Sequence, residues 1–241
     1  MEIINEEKLN YYINKYNIDD LFSKSMRKYM TLHMWKAGEY LCREGEPLNY
    51  IFFITRGKAK VYKNFENGKS LLICFYDPFK IIGDMEFTRT NLADCSVKVI
   101  KDVYAVGIKF EEAGEILLND CRFLRNICEY LGEKLSKNST NSAINLLYPL
   151  ENRLASYILA YLNYDEDDAY EESKNSDLSD EIKFEFEGNY GEIAELLGTS
   201  YRHLNRTLKR MCEDNIIRKD ERVYKVLDYD KLVALSGDLY K

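Results

Sequence analysis

Residues 189–211, NYGEIAELLGTSYRHLNRTLKRM, predict two short helices joined by a tight turn. Asn189 and Glu192 have the spacing of a capping box at the start of the first helix. Gly198 suits the backbone of a sharp turn, and Thr199-Ser200 offers a hydroxyl N-cap for the second helix. An apolar stripe at i, i+4 and i+7 gives the second helix a buried side, formed by Leu204, Leu208 and Met211.

The outer side of the second helix is rich in hydrogen-bond donors. Arginine side chains bind guanine edges and asparagine binds adenine in a major groove, so a helix with this surface fits DNA. The alternative is a charged face that only meets solvent. The residues expected to contact DNA are Ser200, Tyr201, Arg202, His203, Asn205, Arg206, Lys209, Lys219 and Arg222.

The segment after this helix predicts a two-stranded wing. Ile216-Ile217 lead into a charged turn, and residues 223–226 alternate between apolar and polar. Between residues 199 and 225 there are eight Lys or Arg and four Asp or Glu, whereas the whole chain has a net charge of −7. A basic region in an acidic protein indicates a polyanionic partner at that place.

Composition excludes several classes of protein. No apolar run approaches the roughly 18 residues of a membrane span, and the start MEIINEEKLNYY lacks the features of a signal peptide. We therefore expect a cytoplasmic protein without a membrane partner. Cysteines 42, 74, 95, 121, 128 and 212 show no CxxC spacing, which favours reduced thiols over a zinc site or disulfides. No nucleophile–base arrangement or phosphate-binding glycine loop appears, so no enzyme is expected.

The first half of the chain changes its periodicity twice. Residues 1–30 predict short amphipathic helices. From about 32 to 108, short apolar runs alternate with turn signals, which predicts an antiparallel sandwich or barrel. Asn67-Gly68 indicates a two-residue hairpin, and the alternation around Val97 and the run from Val103 to Ile108 indicate two successive strands.

Residues 110–148 are helical in pattern and contain no proline. Two helices packed on the barrel would explain this length, and so would one helix that pairs two copies of the chain. The seam expected at a dimer interface consists of Leu124, Ile127, Leu131 and Leu135. Cys121 and Cys128 lie seven residues apart, so in a parallel dimer each could meet its counterpart; ordinary buried cysteines are the alternative.

The remaining segments complete the order of elements. Pro149 begins a further helix with Leu154, Ile158 and Leu162 on one side. Residues 164–187 carry eleven acidic residues against two lysines, which predicts a solvated connector that ends in the alternating strand 182–186.

In this order, the motifs resemble those of the Crp/Fnr superfamily of bacterial transcription regulators. The resemblance is carried by GEYLCREGEPLNYIFFITRGKAKVY at 38–62, IIGD at 81–84 and EIAELLGTSYRHLNRTLKRM at 192–211. It implies an α+β fold: an N-terminal double-stranded β-helix, the jelly roll of cyclic-nucleotide-binding type, over 1–115; a long dimerisation helix over 116–148; and a C-terminal winged helix-turn-helix over 149–241. Tyr201, Arg202 and Arg206 match the positions that touch bases.

The resemblance also implies what each part does, and departures from the family pattern limit its ligand. The candidate pocket residues are Gly83, Asp84, Met85, Arg89, Asp94 and Cys95. Members that bind cyclic nucleotides have glutamate after the loop glycine and a later arginine for the phosphate. Here Asp84 follows the glycine and residues 91–95 contain no arginine, while Arg89 lies a few residues early. We therefore do not expect cyclic AMP to bind.

Two other sensory cofactors are also not expected. Iron–sulfur members need an N-terminal cysteine cluster, whereas the first cysteine here is Cys42. His33 is a lone candidate for haem, and a lone histidine is more commonly a packed or hydrogen-bonded residue. The effector therefore stays unidentified at this stage.

The predicted function is that of a homodimeric regulator, controlled by a signal at the sensor domain, that binds a palindromic promoter site. Its expected partners are double-stranded promoter DNA, a second copy of the chain and, as a candidate, RNA polymerase. The alternative is a cyclic-nucleotide-type binding module that acts through protein contacts and carries a degenerate DNA domain.

Overall fold

The computed structural model describes residues 2–68, 70–88, 91–162, 183–186, 190–221 and 223–237. The chain divides into two compact units. The first comprises Met1–Phe65 and Ile73–Ser139, and the second comprises Glu66–Leu72 and Thr140–Lys241.

Short helical segments open the first unit, as the sequence predicted. Helix α1 spans Glu6–Lys15 and begins at Asn5, whose side chain accepts a hydrogen bond from a backbone N–H of the first turn. Two short 3₁₀ turns follow at Ile18–Leu21 and Arg27–Tyr29. Buried apolar side chains hold these segments on the sheet that follows.

Seven strands form the sheet of the first unit. They are β1 (Glu2–Ile3), β2 (Met30–Trp35), β3 (Tyr40–Cys42), β4 (Tyr50–Asn64), β5 (Ser70–Tyr76), β6 (Lys80–Ile82) and β7 (Ser96–Lys109). The order is β1-β2-β7-β4-β5, with β3 also paired to β7 and β6 to β4. The two longest strands, β4 and β7, pair antiparallel, and both contribute side chains to the buried core.

The structure corrects two expectations about these strands. The segments that begin at Val97 and Val103 belong to the single strand β7 rather than to two strands. Asn67-Gly68 does lie between β4 and β5, but β4 ends at Asn64 and β5 begins at Ser70. The connection is therefore longer than the two residues that its sequence indicated, because the Asn-Gly signal fixes a turn but not where pairing begins.

Two helices leave the sheet at the end of β7. Helix α2 covers Phe110–Leu118 and helix α3 covers Cys121–Leu147, so the predicted helix 116–148 also includes the last turn of α2. Asp120 separates them, and its carboxylate accepts hydrogen bonds from the backbone of α3 and from Ser23. Burial alone would raise the pKa of Asp120, but these hydrogen bonds outweigh it and lower the pKa below its usual value.

Helix α3 packs one side against its own unit. Phe123 stacks on Phe22 at 5.2 Å between ring centroids, and Ile127 is 3% exposed in the same core. The structure therefore contradicts the placement of Ile127 at a dimer interface, because its side chain is already covered by its own chain. Cys121 and Cys128 are exposed, so they are not the ordinary buried cysteines of the alternative interpretation.

The second unit contains four helices and a small sheet within its described residues. The helices are α4 (Leu150–Leu162), α5 (Tyr190–Leu196), α6 (Tyr201–Glu213) and α7 (Tyr229–Ser236), and the strands are β8 (Lys183–Glu185), β9 (Ile217–Asp220) and β10 (Val223–Val226). Leu154 and Ile158 of α4 are fully buried, as their spacing predicted.

The wing has three strands rather than the two predicted. Its order is β8-β10-β9, and both pairings are antiparallel. The sequence indicated β8 as a strand but not its partner, since alternation gives no information on pairing. Most of the predicted acidic connector, 164–187, lies outside the described residues. Within the described part of the chain, no helix combines the length and hydropathy that a membrane crossing requires.

Candidate DNA-binding surface and sensor cavity

The turn between α5 and α6 has the geometry that its sequence predicted. Gly198 has φ +61°, a left-handed conformation that glycine adopts without a steric cost. Ser200 is the N-cap of α6, and its Oγ accepts a hydrogen bond from the backbone N–H of His203 at 3.2 Å. The predicted cap at Ser200 is therefore confirmed. The predicted cap at Asn189 lies outside the described residues.

A buried polar contact holds this turn in place. The Arg153 guanidinium of α4 donates a hydrogen bond through Nη1 to the backbone carbonyl of Leu197. That carbonyl lies just after the end of α5, where helical carbonyls lose their intrahelical donors. Arg153 therefore satisfies an acceptor at the turn, a role that no local pattern in the sequence indicated.

Helix α6 is fixed by its apolar stripe and exposes its donors. Leu204, Leu208 and Met211 are buried, which confirms the predicted inner side. Tyr201 is 58% exposed at the start of the helix. The other exposed or partly exposed candidates on this helix are Arg202, His203, Asn205, Arg206 and Lys209.

Some of these side chains already have partners. Asn205 Nδ2 donates to the Tyr201 carbonyl at 3.0 Å, and His203 Nδ1 lies 3.2 Å from Thr199 Oγ1. Lys209 Nζ is 3.7 Å from a Glu213 carboxylate oxygen, a surface pair of little energetic weight. Within the described part of the chain, no ion pair or hydrogen bond engages the guanidinium of Arg202 or Arg206. These two groups are thus available to a ligand.

Of the two wing residues predicted to contact DNA, Lys219 lies within the described residues. Lys219 is exposed on β9, and its Nζ lies 5.4 Å from the ring centroid of Tyr190 and 5.9 Å from that of Tyr224. The hydroxyls of the two tyrosines are 3.1 Å apart, so the rings form a fixed platform under the ammonium. Arg222, the other predicted wing contact, lies outside the described residues.

The first unit contains a partly open cavity of about 160 Å³. Five of the six candidate pocket residues line it: Gly83, Asp84, Met85, Asp94 and Cys95. Arg89 lies outside the described residues. Gly83 has φ +90°, and a Cβ there would lie 2.3 Å from the Tyr50 carbonyl oxygen, so this close approach requires glycine.

The cavity also has lining residues that the sequence did not indicate. They include Leu131, Lys134 and Leu135 of α3 and the thiols of Cys42 and Cys74. Lys134 Nζ donates to both carboxylate oxygens of Asp84, at 3.0 Å each. The residues of this pair lie fifty positions apart, so no local pattern could have connected them.

The polar groups of the lining are mainly acidic. Glu86 is buried, and its Oε1 accepts a hydrogen bond from the backbone N–H of Asp94 at 3.0 Å. Lys134 is the one cationic side chain among the described lining residues, and its ammonium is held by Asp84. A phosphate here would meet carboxylates and would lack the bidentate arginine that usually binds it.

Three thiols line this cavity, and they are free in the structure. Burial raises the pKa of the Cys42 and Cys74 thiols to about 12 and that of Cys95 to about 11. They are therefore protonated at neutral pH and behave as small apolar groups. Among the described residues, no group of three or more His, Cys, Asp or Glu side chains has the geometry to hold a metal ion.

His33 lies in an aromatic cluster on β2. Its ring stacks on Trp35 at 5.7 Å and meets the edges of Tyr50 and Phe52 at 5.0 Å each, and its Nε2 is 2.8 Å from Thr31 Oγ1. Burial lowers the pKa of His33 to about 4. These contacts give the histidine a packing role in the strand.

Comparisons with known proteins match both units. The family model described as the cyclic nucleotide-binding domain matches residues 32–120, and the Crp-like helix-turn-helix domain matches residues 152–235. The regulatory protein YeiL of Escherichia coli O157:H7 is 29% identical over 220 residues, which cover 91% of this chain and 92% of that protein.

Solved structures show the same fold. A Crp/Fnr-family protein from Eubacterium rectale superposes with a TM-score of 0.70 at 13% identity, covering 88% of this chain and 92% of the other. A transcriptional regulator of the CRP family from Thermus thermophilus gives 0.66 at 15% identity, covering 87% and 98%. A β domain with a cavity, followed by a helix-turn-helix, defines a transcription regulator with a sensor domain and a DNA-binding domain. The chain belongs to the Crp/Fnr family of such regulators.

Proposed function

We propose that two copies of this chain bind a palindromic promoter site, each with α6 in a major groove, under the control of a signal received in the cavity of the first unit. The observation that carries the proposal is the surface of α6. Its apolar stripe is buried, while Tyr201, Arg202 and Arg206 project from its N-terminal half. In helix-turn-helix proteins this part of the second helix meets the base edges.

The chemistry of each side chain suggests its place in the complex. Arg202 and Arg206 are four residues apart and share one side of α6, so both guanidinium groups can bind guanine O6 and N7. Asn205 would first have to release the Tyr201 carbonyl before binding adenine. Ser200 and His203 lie at the helix N-terminus, where backbone N–H groups favour a phosphate.

Lysines beside the reading surface would neutralise the DNA backbone. Lys209 lies further along α6, and Lys219 is held over the tyrosine rings of the second unit. We assign Arg222 to the same role because it lies between β9 and β10 in the sequence. Contacts of this type add affinity and salt dependence without sequence preference.

A palindromic site requires two reading helices related by a two-fold axis. Half-sites one turn of DNA apart, about 10 base pairs or 34 Å, fit such a pair. We assign the pairing of two copies to the outer side of α3, where Leu135 is 70% exposed and Leu124 and Leu131 are half-buried. RNA polymerase is the further partner expected of a regulator bound at a promoter.

We further propose that the signal is not cyclic AMP. The cavity holds Asp84, Glu86 and Asp94, and the ammonium of Lys134 already has a carboxylate partner. A cyclic phosphate would have to displace Asp84 from Lys134 or stay without a charged partner, and both cost free energy.

Selection from random double-stranded DNA tests the proposed function. Wild-type protein should enrich an inverted repeat with guanines at two positions of each half-site. The variant R202A/R206A should lose this enrichment while keeping its melting temperature, because both side chains are exposed. If the folded wild-type protein enriches no motif, the proposal fails and a module that acts through protein contacts becomes the better account.

A further inference from the structure

The outer side of α3 carries a repeat of cysteine and leucine. Its members follow one another at spacings of three and four residues: Cys121, Leu124, Cys128, Leu131 and Leu135. We call these five residues the α3 seam. A 3-4 repeat has a mean period of 3.5 residues, which is the repeat of a coiled coil, with both cysteines in equivalent a positions.

Contacts within the first unit fix the direction of the α3 seam. Phe123 and Ile127 are buried in the core of that unit, and the Tyr130 hydroxyl accepts a hydrogen bond from the Ile81 N–H at 2.9 Å. Lys134 is held by Asp84 on the same side of the helix. Within the seam, Leu124 and Leu131 pack partly on this core, and Leu131 and Leu135 also border the cavity. The outward side of the helix therefore follows the exposed Cys121 and Cys128 and the exposed part of Leu135.

The exposure along the seam agrees with this direction. Cys121 and Cys128 are exposed, Leu124 and Leu131 are half-buried, and Leu135 is largely exposed. Gly132 lies beside the seam, and a Cβ built there would touch nothing within 4 Å. Because Gly132 has no side chain and the space beside it is open, a second helix can approach α3 closely at this position.

In the homodimer proposed above, a second copy of this chain would cover the α3 seam in parallel and in register. We propose that Cys121 and Cys128 then each pair with their counterparts in reversible interchain disulfides. This inference rests on the proposed homodimer. Only a parallel, in-register pairing brings each a position opposite its own equivalent, so a two-fold axis along the helices places like cysteines together.

The dimensions of helix pairs fit this bond. Packed helices lie about 8–10 Å apart and their Cα atoms sit about 2.3 Å from each axis, so directly facing Cα atoms come within about 3.4–5.4 Å. Disulfides join Cα atoms about 4.4–6.8 Å apart. Seven residues along a helix span about 10 Å, so Cys121 and Cys128 form two separate layers rather than one cluster.

The chemistry is an exchange with a small disulfide such as oxidised glutathione. The thiolate of one chain attacks the glutathione disulfide, forms a mixed disulfide and releases one glutathione thiolate. The thiolate of the second chain then attacks the mixed disulfide at the protein sulfur and releases the other. One interchain S–S bond forms, the S–S bond of the oxidant breaks, and the two protons leave with the two glutathione thiols.

The other cysteines are poorer candidates for the exchange. Cys42, Cys74 and Cys95 line the cavity, and burial raises the pKa of each thiol to about 11 or 12, which leaves little thiolate at neutral pH. Cys212 is half-buried on α6, and its pKa is also raised by burial. It supplies a matched control outside the seam.

The test treats purified full-length protein with oxidised glutathione and separates it on a denaturing gel without reductant. Wild type should give a band at twice the chain mass of 28.4 kDa that disappears with dithiothreitol. C121S and C128S should each keep this band, because the layers are independent, and C212S should keep it too. The double variant C121S/C128S should lose it.

Sedimentation in reducing buffer separates this inference from the proposed dimer. A cross-link that persists in C121S/C128S overturns the inference, because other thiols then form it. A wild-type protein that sediments as a dimer but forms no cross-link overturns the in-register pairing and leaves the dimer standing. A wild-type monomer in reducing buffer overturns both.

Discussion

The ammonium of Lys134 on helix α3 donates to both carboxylate oxygens of Asp84 in the cavity wall, at 3.0 Å each. Asp84 is 1% exposed and Lys134 is partly covered, so most of the pair is out of water. This contact ties the long helix directly to the loop that follows β6. Any ligand that binds Asp84 or Lys134 must compete with it.

Removal of one partner should therefore be more damaging than removal of both. We expect Lys134→Met to lower the free energy of unfolding by about 3 kcal/mol, since it leaves the buried Asp84 carboxylate without a counter-charge. The double variant D84N/K134M should recover most of this loss. Urea unfolding followed by the fluorescence of Trp35, the one tryptophan of the chain, reports on the first unit. Equal losses in the single and double variants would show that the pair is not coupled.

Cyclic AMP should leave the thermal stability unchanged. A ligand at 100 times its dissociation constant stabilises the folded state by about 2.7 kcal/mol, which a thermal shift assay detects. The acidic lining and the engaged Lys134 give the phosphate no cation to bind among the described lining residues. A rise in melting temperature that grows with millimolar cyclic AMP would show that a cation outside the described lining completes the site.

The two classes of DNA contact should respond differently to substitution. Arg206→Ala should weaken binding by about 1–3 kcal/mol and relax the preference at one position of each half-site. Lys219→Ala serves as the matched control: it should weaken all sequences alike and lower the salt slope by about one. Selection and salt titration with each variant measure both effects. If Arg206→Ala selects the same motif as wild type, Arg206 contacts only the phosphate backbone and does not read a base.

Leu135 offers a sharper test of dimerisation than Leu131, because Leu131 also packs against the core of its own unit. Leu135→Asp should weaken the dimer at least ~100-fold, since two carboxylates would face each other in an apolar seam. Lys137→Asp, at an exposed position of α3 outside the seam, is the control and should still dimerise. Sedimentation in reducing buffer measures both. A dimeric Leu135→Asp variant would place the interface elsewhere.

His33 should make stability depend on pH between its two pKa values. Burial holds the pKa near 4 in the folded protein, against about 6.5 when unfolded. The unfolded chain therefore binds more protons in this interval, so the stabilisation is complete above about pH 6.5 and is lost as the pH falls toward 4. His33→Gln should flatten this part of the profile. Urea unfolding at several pH values, followed by Trp35 fluorescence, compares the two proteins, and parallel profiles would count against His33 as the cause.

Local patterns predicted the elements better than the contacts between them. The hydroxyl cap at Ser200 and the stripe through Leu204 and Met211 depend on neighbours within one or two helical turns, and the structure has both. The pair of Asp84 with Lys134 and the contact of Arg153 with Leu197 join distant parts of the chain, and no periodicity encodes them.

The error at Ile127 has a specific cause. Helix α3 has two apolar sides. The sequence shows that both are apolar, but it does not show which side packs on the chain's own core and which is left for a partner, so the larger apolar Ile127 was assigned to the dimer interface. Ile127 belongs to the side that packs on the chain's own core, whereas the smaller and less apolar Cys128 belongs to the other. The residues on the two sides of α3 can be told apart only from the structure, which shows which side chains are buried in the chain's own core.

That separation has a consequence for how related chains diverge. A change at Phe123 or Ile127 alters the folding of a single molecule, whereas a change at Cys121 or Cys128 alters exposed side chains that can meet a neighbour. Selection can therefore act on stability and on assembly through different residues of one helix. Descendants of a common ancestor can then change how they associate, or how association responds to oxidants, while they keep the same sensor core.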